Sequence, residues 1–316
     1  MNPALHREHQ LARSFIQCQA ASAEFDCYIE PRGPGLHHLF VLRVNGNAWV
    51  GRKILQHSDP RGWYVSSVLK PWMLLGPLVQ WQWGNQGAVI CFRTVSAQEK
   101  EAAFANALTQ SNSALSFPFP ALDDGGREFV CPPDFWQWNP ALAALLDTDE
   151  AHFRQYCSAL LKTLSNPGSV ILDPACSTGE LITHLAAQLP DRHCLGSDRS
   201  ASMIEHALER HGTSAVRFFL ADARHIAKSD VRCDVLILRF LNAEVMTRKD
   251  AQRAFQDMLA CVNPGGTILL FGHTPVLLAV PHMAHSLRLE LVSSVAARPG
   301  HAELFEFYRL RVPVPC

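Results

Sequence analysis

The sequence has 316 residues, of which 48% are apolar and 18% charged, and its 28 basic and 29 acidic residues leave a net charge of −1. This length suits about two domains, and the apolar content excludes a disordered chain. A near-zero net charge gives no electrostatic reason to expect nucleic acid or an anionic membrane as a partner. No apolar run approaches the roughly 18–20 residues needed to span a membrane.

The cysteines and the N-terminal residues favour a reduced, cytoplasmic protein. No two of the ten cysteines form a C-x-x-C pair, and Cys176, Cys194, Cys233 and Cys261 lie in or beside apolar runs, where cysteine behaves as a small hydrophobic residue. The first ten residues carry charges of both signs and lack the apolar stretch of a secretion signal. No His or Cys cluster has the spacing of a metal site, so no metal is expected. The sequence does not indicate an oligomeric state.

The first half of the chain predicts a small antiparallel β-domain, arranged as a meander or partial barrel. Its short runs of β-branched and aromatic residues are divided by turn sequences such as PRGPG, NGN and GNQG. These predicted strands cover 25–30, 37–44, 48–55, 63–68, 78–83 and 88–93. A helix is predicted over 97–110. We assign 1–115 to an N-terminal β-rich cap or substrate domain and 116–140, rich in Pro, Gly and Asp, to a linker or lid.

The second half alternates strand and helix patterns, which predicts a parallel sheet with helices on both faces. The predicted strands are 169–174, 193–198, 215–222, 233–241 and 267–272. The predicted helices are 141–147, 149–165, 177–189, 200–210, 248–262 and 276–288. Two further strand-like runs, 288–297 and 303–312, flank the turn sequence RPGH. The predicted fold class is therefore α/β, a doubly wound, mostly parallel seven-stranded sheet over 141–316 with a C-terminal antiparallel hairpin.

Three of the predicted helix starts carry a capping-box pattern, in which a hydroxyl residue precedes an acid by three positions. The three pairs are Ser177 with Glu180, Ser202 with Glu205, and Thr247 with Asp250.

The segment Asp173-Pro-Ala-Cys-Ser-Thr-Gly-Glu180 carries the strongest chemical signal, because it passes from a strand through small residues into a helix. Small residues at such a junction let a ligand approach the backbone, and the helix start offers free N–H groups. The sequence contains no GK[ST], which argues against a nucleotide-binding P-loop, and no nicotinamide-type GxGxxG. An acid at the start of the turn suits a cationic ligand group better than a pyrophosphate.

This segment resembles motif I of the class I (Rossmann-like) S-adenosylmethionine-dependent methyltransferases. That motif has an acid followed by small residues at alternate positions, and here Asp173, Ala175, Ser177 and Gly179 occupy these places. Ala and Ser stand where Gly is usual, which implies slightly less room for the amino-acid part of the cofactor. The resemblance implies S-adenosylmethionine as the cofactor, used as methyl donor or as substrate.

Later acids fall where the same family needs them. The resemblance implies that Asp198, ending the second strand of the sheet, binds the ribose hydroxyls and that Asp222, after the third, binds the adenine amino group. Their neighbours Arg199 and Ala223 are placed in the cofactor site with them. The NPGG turn before the fifth strand and the terminal hairpin also resemble the family, so the resemblance covers about 140–312.

The end of the fourth strand is where catalytic groups usually lie in this superfamily. Arg239 leaves an otherwise apolar strand there, and we expect it to meet a carboxylate of the cofactor or substrate, or to form a salt bridge to a neighbouring helix. Asn242, His273 and Tyr156 are further candidates, and His273 is either the best-placed base or a structural histidine. The absence of [DN]PP[YF] argues against methylation of DNA base amino groups.

All seven tryptophans precede residue 140, and in family members an N-terminal addition of this kind caps the site and selects the acceptor. Phe135, Trp136 and Trp138 are predicted to form an aromatic wall, since aromatic faces attract a sulfonium by about 0.5–2 kcal/mol. Four other tryptophans are predicted to fill the core of the β-domain: Trp49, Trp63, Trp81 and Trp83.

Three functions are compatible with these residues. The first is methylation of a small molecule, in secondary metabolism, because nothing marks a macromolecular acceptor. The second rests on LRFLNAEVMT and NPGGTILLFGHTPVLL, which are similar to bacterial methyltransferase-like enzymes that cyclise S-adenosylmethionine into azetidine-2-carboxylate and methylthioadenosine. The third is a non-catalytic, cofactor-binding partner subunit, against which the intact series of acids argues.

Overall fold

The computed structural model describes residues 3–17, 24–33, 35–54, 57–59, 62–64, 66–110, 112–123, 125–140, 150–226, 228–298 and 300–315. The predicted helix 141–147 lies outside these residues. The chain forms two compact units. One comprises Met1–Phe129, Thr274–Val276 and Ser293–Glu306, and the other Val130–His273, Leu277–Val292 and Phe307–Cys316. The predicted domain boundaries after residues 115 and 140 stay predictions. Within the described residues, no helix has the length and apolarity to cross a membrane.

The first unit contains an antiparallel sheet, as the sequence predicts. In the described part of the chain the sheet has six strands in the order β1-β7-β6-β3-β2-β8, and β4 and β5 form a separate hairpin. The strands are β1 Phe25–Pro31, β2 Leu39–Val44, β3 Asn47–Arg52, β4 His57–Asp59, β5 Gly62–Tyr64, β6 Leu74–Gly84, β7 Gly87–Arg93 and β8 Ala114–Ser116. Asn45 and Gly46, both with positive φ, make the tight β2–β3 turn.

Two helices accompany this sheet, α1 Pro3–Gln17 and α2 Ala97–Thr109. Helix α2 begins at a capping box in which Ser96 and Glu99 each accept a hydrogen bond from the other's backbone N–H. Side chains such as Phe40 and Phe104 are fully buried in the core of this unit. Burial of this apolar surface is the main stabilising contribution to the unit.

An arginine lies inside the first unit and ties α1 to the sheet. Arg52, which is 1% exposed, donates from Nε to Glu30 at 2.5 Å and from Nη2 to Glu8 of α1 at 2.7 Å. A charge buried this deeply is tolerated only with partners, and Glu30 and Glu8 supply them.

The tryptophans of this unit only partly follow the prediction. Trp49 and Trp81 are half-buried against the core, as predicted. Trp83 is 52% exposed, so its predicted core position is wrong, because it lies at the outer end of β6 with Arg32 over its ring. The side chain of Trp63 lies outside the described part of the chain.

One cysteine pair corrects the expectation of a fully reduced protein. Cys27 on β1 lies directly opposite Cys91 on β7, and the two form a disulfide. They are separated by 64 residues in the sequence, and only the strand register brings them together. Four other cysteines are buried as small hydrophobic residues, as predicted: Cys176, Cys194, Cys233 and Cys261.

The second sheet confirms the predicted α/β class. Its described strands number seven, in the order β11-β10-β9-β12-β13-β15-β14. Strands β9 to β13 run parallel, and β15 is antiparallel to β13. The bounds are β9 Val170–Asp173, β10 His193–Asp198, β11 Val216–Leu220, β12 Cys233–Leu238, β13 Val262–Leu270, β14 Glu290–Ala297 and β15 Leu304–Arg311.

Five described helices of the second half lie close to their predicted ranges: α3 Ala151–Leu164, α4 Glu180–Gln188, α5 Ala201–His211, α7 Arg248–Met258 and α8 Val280–Ser286. A short further helix, α6 Ala223–Ile226, was not predicted. The predicted cap Thr247 accepts from the Asp250 N–H. The other two predicted caps are wrong, since Gly179 precedes α4 in place of Ser177 and Ser200 caps α5 in place of Ser202.

The sequence NPGG (263–266) does not separate helix from strand as predicted. Helix α7 ends earlier, at Met258, and NPGG lies within β13. Val262 pairs with Cys233 and Thr267 with Val235, so the four residues form an irregularity between two paired segments. The pairing register therefore shifts across NPGG, and the ladder is locally interrupted there.

The strand order places the site. Strands β10 and β11 lie on one side of β9, and β12 and β13 lie on the other. The order in which successive strands are added to the sheet therefore reverses between β9 and β12. Ligands of open α/β sheets bind at such a switch point, outside the carboxyl ends of the strands.

Candidate functional site

The turn after β9 is built around two carboxylates. Asp173, the last residue of β9, is fully buried and accepts a hydrogen bond from the Ala175 N–H at 3.3 Å. Ser177 has a φ of 53°, the left-handed region that favours glycine, and its N–H donates to Asp198 Oδ2 at 3.0 Å. The serine that replaces a usual glycine of motif I is therefore held by the acid that ends β10.

Unlike the position of Ser177, the position of Gly179 requires glycine. Its φ is 82°, and a Cβ at this position would lie 2.8 Å from the Phe218 ring. The final glycine of the motif is thus required both by backbone conformation and by the close approach of β11.

Asp198 joins β10 to the helix that follows it. In addition to the Ser177 bond, its Oδ1 accepts from the Ser200 N–H at 2.9 Å. Burial raises the pKa of Asp198. Its neighbour Arg199 has an exposed side chain. The Asp198 carboxylate keeps lone pairs beyond these two bonds and can accept from ligand hydroxyls.

Asp222 follows β11, the next strand of the sheet. It accepts hydrogen bonds from the Arg224 N–H at 2.8 Å and from Arg224 Nε at 3.3 Å. Burial would raise the pKa of Asp222, but the Arg224 N–H and guanidinium lower it. Ala223 is buried at the start of α6. Acids thus follow three adjacent parallel strands, which is the arrangement that the sequence predicts.

Arg239 lies immediately after β12 and pairs with two acids. Its Nη1 donates to Glu150 Oε1 at 2.5 Å, and its Nε lies 3.4 Å from Asp173 Oδ2. Of the two predicted alternatives, the structure contains the salt bridge, because Glu150 is the residue before α3. Contact of Arg239 with a ligand carboxylate stays a prediction.

Glu150 is the site residue that the sequence analysis missed. It is buried, and its Oε1 also lies 3.3 Å from His273 Nε2. Burial opposes its ionisation, but the Arg239 guanidinium and the His273 imidazole hold the pKa of Glu150 at about 2. An acid before a helix is an ordinary helix-start signal, so its sequence position gave no separate indication of this role.

The two acids around Arg239 differ in their protonation behaviour. Burial raises the pKa of Asp173 to about 6, although Arg239 pulls the value down. Within the described residues, neither Asp173 Oδ2 nor Arg239 Nε has a hydrogen-bond partner, so the contact between them is an ion pair only. The closer Glu150 therefore receives most of the stabilisation that Arg239 offers.

Of the other predicted catalytic residues, the structure brings His273 to this cluster through Glu150. Asn242 donates from Nδ2 to the Arg239 carbonyl at 2.6 Å, and Gly272 is required beside it, because a Cβ there would lie 1.7 Å from Nδ2. Tyr156 packs its ring on Phe307 at 4.8 Å, and burial raises its pKa. The roles proposed for all three stay predictions.

Part of the predicted lid contacts the same edge of the sheet. We call residues 130–138 the strap. At one end, Cys131 donates its N–H to the Glu244 carbonyl at 2.7 Å. At the other end, Gln137 Oε1 accepts from the hydroxyls of Ser200 at 2.9 Å and Ser202 at 2.8 Å. The strap therefore connects the segment after β12 to the start of α5, after β10.

The aromatic residues of the strap have different surroundings. Trp138 stacks on His206 of α5 with ring centroids 4.7 Å apart. Phe135 and Trp136 meet edge to face at 4.9 Å, and Trp136 Nε1 is buried with no hydrogen-bond partner within the described residues. A buried indole N–H without a protein acceptor is available to a ligand. The aromatic wall stays a prediction for these residues.

These groups fit S-adenosylmethionine. The Asp198 carboxylate has the free lone pairs that ribose hydroxyls would need, and the three successive acids lie at the strand ends where a cationic cofactor would bind. Within the described residues, the buried Trp136 N–H and Asp173 Oδ2 have no hydrogen-bond partner, so a ligand would supply one.

Comparisons with known proteins agree with this reading. Residues 171–266 match a family model described as a methyltransferase domain. Isonocardicin synthase from Nocardia uniformis subsp. tsuyamanensis is 28% identical over 307 residues, which cover 95% of this chain and 99% of that protein.

Two solved structures resemble part of the chain. TrmN from Thermus thermophilus has a TM-score of 0.40 and 22% identity over 50% of this chain and 48% of its own, so the chain spans about half its length. Magnesium protoporphyrin IX methyltransferase from Synechocystis PCC 6803 with bound SAM has a TM-score of 0.41 and 16% identity over 51% of this chain and 78% of its own.

The matched range runs from β9 to β13 and contains the motif turn, Asp198 and Asp222. The chain thus contains a methyltransferase domain, and it is an S-adenosylmethionine-dependent transferase or methyltransferase-like enzyme.

Proposed function

We propose that the protein transfers the methyl group of S-adenosylmethionine to a small molecule of secondary metabolism. The observation that carries this proposal is the strap. It is attached beyond β12 and beyond β10, the two strands that flank β9 and its motif turn. A segment fixed on both sides of the motif turn favours a small acceptor over a macromolecular one.

In this proposal the acids hold the nucleoside. Asp198 accepts hydrogen bonds from the ribose hydroxyls, Asp222 accepts from the adenine amino group, and the turn Ala175 to Gly179 receives the amino-acid part. When bound, S-adenosylmethionine supplies an electrophilic carbon next to the sulfonium. The main contribution of the protein is to orient the acceptor for in-line attack.

The remaining roles follow from the charged cluster. Arg239 binds a carboxylate, and His273 is the candidate base for an acceptor that must lose a proton. Asn242 fixes the backbone carbonyl of Arg239, so it supports this residue indirectly. The roles of Arg199, Ala223 and Tyr156 stay predictions, and Trp136 offers its N–H to the ligand.

The similarity to isonocardicin synthase supports action on a small molecule, because it extends over nearly the whole chain. That relative is named for the compound that it makes and not as a methyltransferase. This favours keeping a second candidate, cyclisation of S-adenosylmethionine. In that reaction the Cγ–S bond breaks, its electron pair stays on sulfur in methylthioadenosine, and an N–Cγ bond closes azetidine-2-carboxylate. The α-ammonium loses one proton before attack.

One experiment separates these functions. The purified protein is incubated with S-adenosylmethionine alone and, separately, with a small-molecule extract of cells, and the products are identified by mass spectrometry. S-adenosylhomocysteine formed only with the extract supports methyl transfer. Methylthioadenosine and azetidine-2-carboxylate formed without the extract support cyclisation and contradict methyl transfer. Neither set of products, under conditions where calorimetry shows binding, contradicts both.

A further inference from the structure

The three nitrogens of the Arg239 guanidinium are not used equally. Nη1 donates to Glu150 at 2.5 Å, and Nε faces Asp173 at 3.4 Å. No hydrogen bond or ion pair within the described residues involves Nη2. The side chain is nonetheless largely buried, with 11% exposure. A buried guanidinium with one uncommitted nitrogen is a ready partner for an additional oxygen anion.

Glu150 determines where this nitrogen lies. The guanidinium is planar, so fixing Nη1 on one carboxylate and Nε toward another fixes the direction of Nη2. The Glu150 bond is the shorter of the two contacts. Glu150 Oε1 also lies 3.3 Å from His273, and Glu150 Oε2 lies 4.0 Å from Arg154. Both oxygens therefore have partners, and Glu150 acts as an anchor at the start of α3.

We propose that Glu150 is a positioning residue that orients Arg239 so that Nη2 binds the α-carboxylate of S-adenosylmethionine. This inference rests on the proposed function only in requiring that S-adenosylmethionine binds. Ionised Asp173 and Glu150 together carry more charge than Arg239, so the site would attract a carboxylate through directed hydrogen bonds and not through net charge.

The consequence is a specific kind of selectivity. A ligand that lacks the carboxylate loses the Nη2 contact but keeps every contact to the nucleoside. The enzyme should therefore bind S-adenosylmethionine more tightly than decarboxylated S-adenosylmethionine, and Glu150 should control the ratio of the two affinities. A residue that only stabilises the fold would change both affinities by the same factor.

The test compares the two ligands by isothermal titration calorimetry in wild type and in Glu150→Asp. This substitution keeps the charge and withdraws the carboxylate by about one carbon–carbon bond, so Arg239 must follow it. We expect the preference for S-adenosylmethionine to be at least tenfold in wild type and to fall about tenfold in the variant. Glu150→Gln is less informative, because loss of the negative charge would by itself favour a ligand carboxylate.

A matched control is Glu290→Asp, which shortens an exposed glutamate paired with Arg311 at 3.6 Å and should leave the ratio unchanged. Equal weakening of both ligands in Glu150→Asp, or a wild type that does not distinguish them, overturns the inference. If Glu150→Asp does not fold, Arg239→Lys replaces it, because a lysine cannot hold two acids and a ligand in one plane. An unchanged ratio there also overturns the inference. A wild type that binds neither ligand contradicts the proposed function instead.

Discussion

The backbone N–H of Ser177 donates a hydrogen bond of 3.0 Å to the carboxylate of Asp198. This bond joins the turn after β9 to the end of β10 and supports a left-handed residue at a position where motif I usually has glycine. This hydrogen bond therefore links the acid proposed to bind ribose to the turn proposed to receive the amino-acid part of the cofactor.

The first prediction concerns the Asp198 carboxylate. Asp198→Ala should weaken S-adenosylmethionine binding by more than tenfold, because it removes the ribose acceptor and also the acceptor that holds Ser177. Calorimetry measures the affinity, and thermal unfolding checks that the variant folds. Asp230→Ala, which removes an exposed carboxylate from a loop, is the control. Unchanged affinity in a folded Asp198→Ala would show that the second strand does not carry the ribose acid.

The acids at the strand ends could be predicted because each is a local signal, an apolar run ending in Asp. Glu150 could not, because its partner Arg239 is 89 residues away and nothing local separates it from an ordinary helix-start acid. The Cys27–Cys91 disulfide was missed for the same reason. Both depend on which segments become neighbours, which a pattern of nearby residues does not encode.

Local signals also had limits within the motif. The residue pair Ser177 and Glu180 fits a capping box, but Ser177 adopts a positive φ and Gly179 occupies the position before α4. A hydroxyl residue at the right spacing is thus insufficient when the turn itself needs left-handed residues. Trp83 shows the corresponding limit for burial, since strand pattern alone did not reveal that it lies at the exposed end of β6.

The second prediction separates backbone strain from steric contact at two glycines. Gly168 and Gly179 have nearly equal φ values of 81° and 82°, but a Cβ meets nothing within 4 Å at Gly168 and the Phe218 ring at 2.8 Å at Gly179. Gly168→Ala should lower the free energy of unfolding by about 1–2 kcal/mol through left-handed strain alone. Gly179→Ala should cost roughly 1–3 kcal/mol more through overpacking. Denaturant unfolding measures both, and equal losses would contradict the predicted contact with Phe218.

The third prediction concerns pH. Asp173 has its pKa raised to about 6 in the folded protein from an ordinary value of 3.8. Between these values the folded state keeps a proton that the unfolded chain releases, so ionisation of Asp173 lowers stability as pH rises from about 4 to 6. The accumulated cost is about 3 kcal/mol above this window. Asp173→Asn removes it, so the variant should gain about that much stability relative to wild type between pH 4 and pH 7.

Unfolding by denaturant at several pH values measures this difference. Glu150 contributes in the opposite direction, since its pKa of about 2 stabilises the fold at neutral pH and this contribution is lost as pH falls. Subtracting wild type from variant largely removes the Glu150 contribution because both proteins contain it. A stability difference that stays constant across the window would show that Asp173 is not held in the protonated form by burial.

The last prediction tests whether the strap controls access. The Ser202 hydroxyl donates to Gln137 at 2.8 Å and accepts from the Trp138 N–H at 3.0 Å, so Ser202→Ala removes two of the bonds that hold the strap to α5. If the strap must open for ligand to enter and leave, the variant should bind and release S-adenosylmethionine about fivefold faster, since each lost bond is worth about 1 kcal/mol or less at an exposed position. The equilibrium affinity should change by less than about twofold, because both rates rise together.

Stopped-flow tryptophan fluorescence measures both rates, because Trp136 and Trp138 lie in the strap. Ser229→Ala is the control for loss of a hydroxyl from an exposed residue. Faster release without faster binding would mean that the strap contacts the ligand directly, and unchanged rates would mean that it does not gate the site.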